Sequence, residues 1–118
     1  MKRFIFLSIL PIMIYADFLS NYEYAKLLYE KPRGISCVNC HGKKGNGGVL
    51  TSYIIELNGN KIIKEIKAPK INNLNKERFL NAFKKRKRFM PDYYLTKEEL
   101  AYIYFYLIKQ GNTNEKQK

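Results

Sequence analysis

The sequence predicts a mainly α-helical domain of short helices, with one small β-hairpin inserted near residues 51–66. Three observations carry this. Two capping boxes, Ser20 to Glu23 and Thr96 to Glu99, each stand before an apolar, helix-periodic stretch. Asn58-Gly59 lies between two β-rich runs, the strongest short hairpin signal. Residues 34–50 are rich in glycine, with Gly34, Gly45, Gly47 and Gly48, so most of that segment reads as loop.

The chain opens with Lys2 and Arg3, then a twelve-residue apolar run from Phe4 to Tyr15 broken by Ser8 and Pro11, then the small Ala16. This is the layout of a secretory signal peptide over residues 1–16, with cleavage after Ala16. An uncleaved anchor is the competing reading. Twelve residues at ~1.5 Å each span about 18 Å, short of the ~30 Å hydrocarbon core. Cleavage takes away Lys2 and Arg3 and no acid, so the net charge falls from +12 by two to +10, and 102 of the 118 residues remain. It also takes Met1 and Met13, leaving Met90 as the one methionine and His41 as the one histidine.

Ser20 and Glu23 begin the first helix, and Leu19 with Tyr24 can form a hydrophobic staple. Tyr24, Ala25 and Leu28 share a face, and Pro32 and Gly34 end it. A helical turn is expected around Cys37 to His41. Tyr53-Ile54-Ile55-Glu56-Leu57 and Asn60-Lys61-Ile62-Ile63-Lys64 form the hairpin arms. A lone hairpin is marginal in water, so it must lean on the domain. Asn75 can cap a helix that puts Phe79, Leu80 and Phe83 on one side. Five bases, Lys84-Lys85-Arg86-Lys87-Arg88, precede Phe89-Met90-Pro91, and Pro91 keeps Met90 out of a helix interior. The last helix carries a stripe at Leu100, Ile103, Tyr104, Leu107 and Ile108. Gly111 is its natural stop, and residues 112–118 read as a polar, disordered tail.

This length holds one domain, over residues 17–111. A hydrophobic fraction of 46% excludes intrinsic disorder. No apolar run reaches the length of a membrane span. Two Cys and one His are one ligand short of a four-ligand zinc site.

Cys37-Val38-Asn39-Cys40-His41 is a C-x-x-C-H motif, the attachment signature of c-type haem. Thiols one helical turn apart can each add across one vinyl group of a single porphyrin, and the adjacent imidazole can then ligate the iron. Three other readings stand beside it. A redox C-x-x-C wants a preceding strand, which Lys31-Pro32-Arg33-Gly34 is not. A Cys37–Cys40 disulfide would close a tiny strained loop. Zinc would need an acid as fourth ligand. Export agrees with haem attachment, which happens outside the cytoplasm.

A thioether is the usual partner of His in electron-carrying haem proteins. Met90 is the single candidate after cleavage. Met as core filler, a lysine of the 84–87 run, or an empty sixth site are the other readings.

These residues together resemble a small class I cytochrome c, over nearly all of residues 17–111. Tyr24-Ala25-Lys26-Leu27-Leu28-Tyr29 is similar to the family's first helix, with Ala25 where Gly is usual. Cys37, Cys40, His41 and Gly42 match the haem motif. Ala68-Pro69-Lys70-Ile71 resembles the loop whose proline carbonyl orients the axial His, and Met90-Pro91 resembles the axial Met segment. Leu95 to Leu107 is similar to the last helix, which implies that Tyr106 packs near Ala25. The resemblance implies short helices wrapped around one covalent haem c and its iron. Cys37 and Cys40 would be the thioethers, His41 and Met90 the axial ligands, Pro69 the orienter of His41, and Ile71 a haem-packing residue. Leu28, Phe83, Leu100 and Ile103 are expected around the same macrocycle.

Iron with both ligands has no open position, so the function expected is one-electron transfer by a periplasmic carrier, not an enzyme. An open or labile sixth site would make it a peroxidase-like enzyme or gas sensor. Permanent assembly would make it a relay subunit. The +10 charge steers encounter with acidic redox partners, for which the resemblance implies an oxidase, a peroxidase or a quinol-oxidising complex. Lys84 to Arg88 form a docking patch or simply a solvated helix end. Nucleic acid is not an expected partner for an exported haem chain, nor is a membrane span, and a monomer is expected. The location expected is the periplasm, with membrane anchoring facing it as the alternative.

Overall fold

The structure, a computed structural model, describes residues 19–85 and 87–116. The expected signal peptide lies outside the described residues, as do Arg86 and the last two residues of the tail.

Four helices and one hairpin follow in order: α1 (Asn21–Glu30), α2 (Cys37–His41), β1 (Gly48–Leu57), β2 (Asn60–Ala68), α3 (Lys76–Lys84) and α4 (Lys97–Glu115). Both capping boxes form. Ser20 Oγ accepts from Glu23 N at 3.2 Å and Glu23 Oε2 accepts from Ser20 N at 2.9 Å. Thr96 and Glu99 do the same for α4, at 3.1 and 2.9 Å. Asn75 Oδ1 caps α3 by accepting from Arg78 N at 2.8 Å. These side chains satisfy amides that the first helical turn leaves without partners.

The core sits where α1 crosses α4. Ala25 is fully buried there, and the Tyr106 ring lies 5.6 Å from that of Tyr22 and 5.3 Å from that of Tyr29, one turn to either side of Ala25. Such centroid distances are favourable for aromatic pairs. Tyr24 does not close a staple with Leu19, which stays exposed. Its ring packs edge-on against Tyr102 at 5.1 Å instead. Phe79 of α3 joins the same core and meets Tyr104 at 5.4 Å.

The hairpin is longer than residues 51–66. Its antiparallel ladder runs past an irregularity between Val49 and Thr51 to pair Gly48 with Ala68. The turn is as expected: Asn58 at φ 52° and Gly59 at φ 77° are both left-handed, which matches the twist of the flanking strands. It leans on the domain only at its base, where Ala68 is buried. Further out the paired Ile54 and Ile63 leave one face 66% and 68% exposed, while Ile62 on the other face is 37% exposed.

The expected stop at Gly111 does not occur, and helix replaces the first part of the expected disordered tail: α4 continues to Glu115. Glycine serves a different purpose there. A Cβ at position 111 would overlap the backbone carbonyl of Asn72.

Candidate functional site

α2 is a single five-residue helix held at both ends. Ser36 Oγ accepts from Val38 N at 3.3 Å, and Gly42 N donates to Val38 O at 2.9 Å. Residues three apart on a helix share a face, so both thiols serve one cavity. It measures about 580 Å³ and is lined by Cys37, Cys40 and His41. Ile71, Phe79, Phe83, Met90, Ile103 and Leu107 supply its apolar walls, and Leu50 and Ala68 bring the base of the hairpin to it. Leu28 and Leu100 do not line it. Leu28 is spent on the core and Leu100 packs against that core, while Tyr29 is the α1 side chain that reaches the cavity.

The His41 Nδ1 lies 3.0 Å from the carbonyl oxygen of Pro69. A carbonyl only accepts, so Nδ1 carries the proton and Nε2 keeps the lone pair that a metal needs. The backbone leaving α2 is then pinned carbonyl by carbonyl. Tyr29 donates to Gly42 O at 2.6 Å, Tyr106 to Lys43 O at 3.0 Å, and Asn72 to Lys44 O at 2.8 Å. Three elements thus fix three successive peptide units directly after His41. Burial, then the neighbouring Cys37 thiol and Tyr106 hydroxyl, push the Tyr29 hydroxyl pKa well up.

Cys37 and Cys40 are not bonded to each other. Burial pushes the Cys37 thiol up to about 11, with Cys40 beside it adding to the shift. The segment before α2 is irregular, not a strand. Among the described residues no group of three or more His, Cys, Asp and Glu side chains could hold a bare metal ion. The disulfide, redox and zinc readings of the motif therefore find no support in the site.

Met90 lies on the irregular segment between α3 and α4 and lines the same cavity as His41. Lys67, Lys70, Arg78, Lys85, Lys87 and Arg88 also line it, so part of the basic run borders the cavity. Two residues without a signal in the sequence belong to the surroundings of the site. Tyr93 lines the cavity and donates to Ile35 O at 2.6 Å. Burial, then the neighbouring thiols, raise its hydroxyl pKa to about 12. Asn72 is 2% exposed and carries no motif of its own.

A covalently held haem fits this site. Two unpaired thiols one turn apart open on a cavity of the size small-molecule sites have, its walls are apolar enough to exclude water, and an imidazole is held with its Nε2 lone pair free. The Cytochrome c family model matches residues 22–110. No curated protein and no solved structure matches the chain. The match runs from the first turn of α1 into the last turns of α4 and encloses both thiols, His41 and every residue lining the cavity. The chain belongs to the cytochrome c family, and what it carries is haem c with its iron, covalently bound, in an electron-transfer role.

Proposed function

We propose that this protein is a periplasmic electron carrier whose haem is attached through Cys37 and Cys40 and ligated by His41 and Met90. One observation supports this above the others: His41 and Met90 lie 49 positions apart, yet both line one cavity. Met90 is also the one methionine that remains after removal of residues 1–16.

The bound haem supplies one-electron transfer. The chain's residues make that transfer selective. The Pro69 carbonyl orients the His41 ring and raises the basicity of Nε2, a common device for metal-bound imidazole. A thioether opposite an imidazole raises the reduction potential. With both positions filled, no substrate reaches the iron, so the protein works as a carrier and not as an enzyme. Ile71, Phe83 and Ile103 exclude water and raise the potential further. Lys85, Lys87 and Arg88 face the approach of acidic partners, an oxidase, a peroxidase or a quinol-oxidising complex, and a monomer suits such a shuttle. Residues 1–16 direct the chain to the periplasm. No helix of the described residues is long and apolar enough to cross a membrane.

The test is the visible spectrum of the protein made in a host that attaches haem: oxidised, reduced, and reduced with carbon monoxide. The expected result is a low-spin spectrum, a sulfur-to-iron charge-transfer band that vanishes in Met90→Ala, and no shift with carbon monoxide. A high-spin spectrum that shifts readily with carbon monoxide overturns the reading in favour of an enzyme or gas sensor.

A further inference from the structure

We infer that Arg33 and Tyr93 are positioning residues for Met90: together they latch the segment that carries it onto the segment leading into α2. The inference rests on Met90 being an iron ligand.

The segment that follows α3 has to present Met90 to the cavity, yet its described residues, 85 and 87–96, form no helix or strand. Among the described residues, the hydrogen bonds that fix it all fall at its C-terminal end. The Tyr93 hydroxyl donates to Ile35 O at 2.6 Å. Arg33 Nη2 donates to Tyr94 O at 2.8 Å. The same guanidinium then forks onto Glu99, with Nη1 at 2.9 Å from Oε1 and Nη2 at 2.6 Å from Oε2. Residues 33–35 stand two to four positions before Cys37. The latch therefore joins the strip of chain that ends in the two thiols and His41 to the strip that bears Met90, without passing through the core.

Three features make this more than an ordinary surface contact. The pair is bidentate, the geometry in which Arg–carboxylate contacts are strongest, and the Glu99 side chain is only 14% exposed against 55% for Arg33. Glu99 is already held by the capping box of α4, so the loop is tied to a rigid element. Arg33 adopts φ 59°, a left-handed conformation sparsely populated by residues other than glycine. Such backbone persists where the surroundings over-determine it, and it concentrates at functional positions. The Lys26–Glu30 pair on α1, at 3.7 Å with both partners about half exposed, has none of these features and serves as the control.

Release of the latch frees the Met90 segment to swing from the cavity and opens the sixth position to outside ligands. The experiment is imidazole titration of the oxidised holoprotein, read beside the sulfur-to-iron charge-transfer band, for wild type, Met90→Ala, Arg33→Gln, Tyr93→Phe and Lys26→Ala. Arg33→Gln is expected to weaken the band and tighten imidazole binding at least fivefold. Tyr93→Phe moves both in the same direction at least twofold, and its small change keeps the test open should Arg33→Gln fail to mature. Lys26→Ala changes neither. If Arg33→Gln and Tyr93→Phe lower only the unfolding temperature, leaving the band and the imidazole affinity as in wild type, the latch is merely structural and the inference falls. If Met90→Ala itself leaves the band and affinity unchanged, Met90 is not the ligand, and the reading of the site falls together with the latch. If Met90→Ala removes the band and Arg33→Gln does not, only the latch falls.

Discussion

Gly111 of α4 and the backbone carbonyl of Asn72 meet with no room for a side chain between them. Asn72 cannot easily retreat, because its Nδ2 is held by Lys44 O and Asn46 Oδ1, both at 2.8 Å. Alanine normally stabilises a helix interior over glycine by about 1 kcal/mol. Overpacking against well-held atoms costs about 1–3 kcal/mol, and here the obstruction is backbone, so the clash wins. Gly111→Ala is expected to lower the unfolding temperature of the oxidised holoprotein by several degrees. A calorimetric scan showing a higher temperature would mean that the two segments do not approach as described.

Tyr106 does two jobs, and two substitutions separate them. Its ring fills the α1–α4 crossing beside Tyr22 and Tyr29, and its hydroxyl donates to Lys43 O at 3.0 Å. Tyr106→Phe removes only the hydrogen bond and is expected to cost about 1 kcal/mol. Tyr106→Ala empties the crossing and is expected to cost about 3–5 kcal/mol. Denaturant unfolding of both variants checks the ratio. Equal losses would show that the ring contributes little.

The Arg33 guanidinium, followed by the Thr96 backbone amide, holds the Glu99 carboxyl down at about 2, against an ordinary 4.5. A carboxylate whose pKa is depressed on folding contributes stability above its unfolded value, and that stability is lost as pH falls through the folded value. The window is thus about pH 4.5 down to about 2. Unfolding by denaturant at pH 5, 4, 3 and 2 is expected to show a loss of stability in wild type that is smaller in Glu99→Gln. Parallel curves for the two proteins would remove Glu99 from the account.

Only the base of the hairpin reaches the cavity, through Leu50, Lys67 and Ala68. Ser52 pairs with Glu65 as Leu57 pairs with Asn60 across the present turn. Replacing residues 53–64 with Asn-Gly therefore keeps the register and a two-residue turn of the favoured kind. The shortened protein is expected to keep its haem and its visible spectrum unchanged. Loss of covalent haem would show that the exposed arms support the site.

Much of this architecture was legible because its signals are local. Ser20 with Glu23 and Thr96 with Glu99 close hydrogen bonds within one helical turn, so sequence spacing alone predicts them. Asn58-Gly59 works the same way, since both residues tolerate the left-handed backbone the turn requires. Cys37, Cys40 and His41 sit on one short helix, and their spacing is itself the chemistry. Gly111 reads locally as a helix stop, but its contact is with a residue 39 positions away, which no local signal shows. The hairpin near residues 51–66 is legible from its turn, but its extension to Gly48 and Ala68, past the irregularity between Val49 and Thr51, is not.

What the sequence determined by itself was the set of helices, the turn and the attachment motif, all governed by hydrogen bonds or spacings of a few residues. Tertiary structure alone decided which distant groups meet: the Pro69 carbonyl with the His41 ring, the Asn72 amide with the loop after α2, and the Arg33 guanidinium with Glu99 and Tyr94. Those contacts depend on how α1 crosses α4, and that crossing is set by the joint packing of Tyr22, Ala25, Tyr29 and Tyr106, which no single stretch of chain encodes.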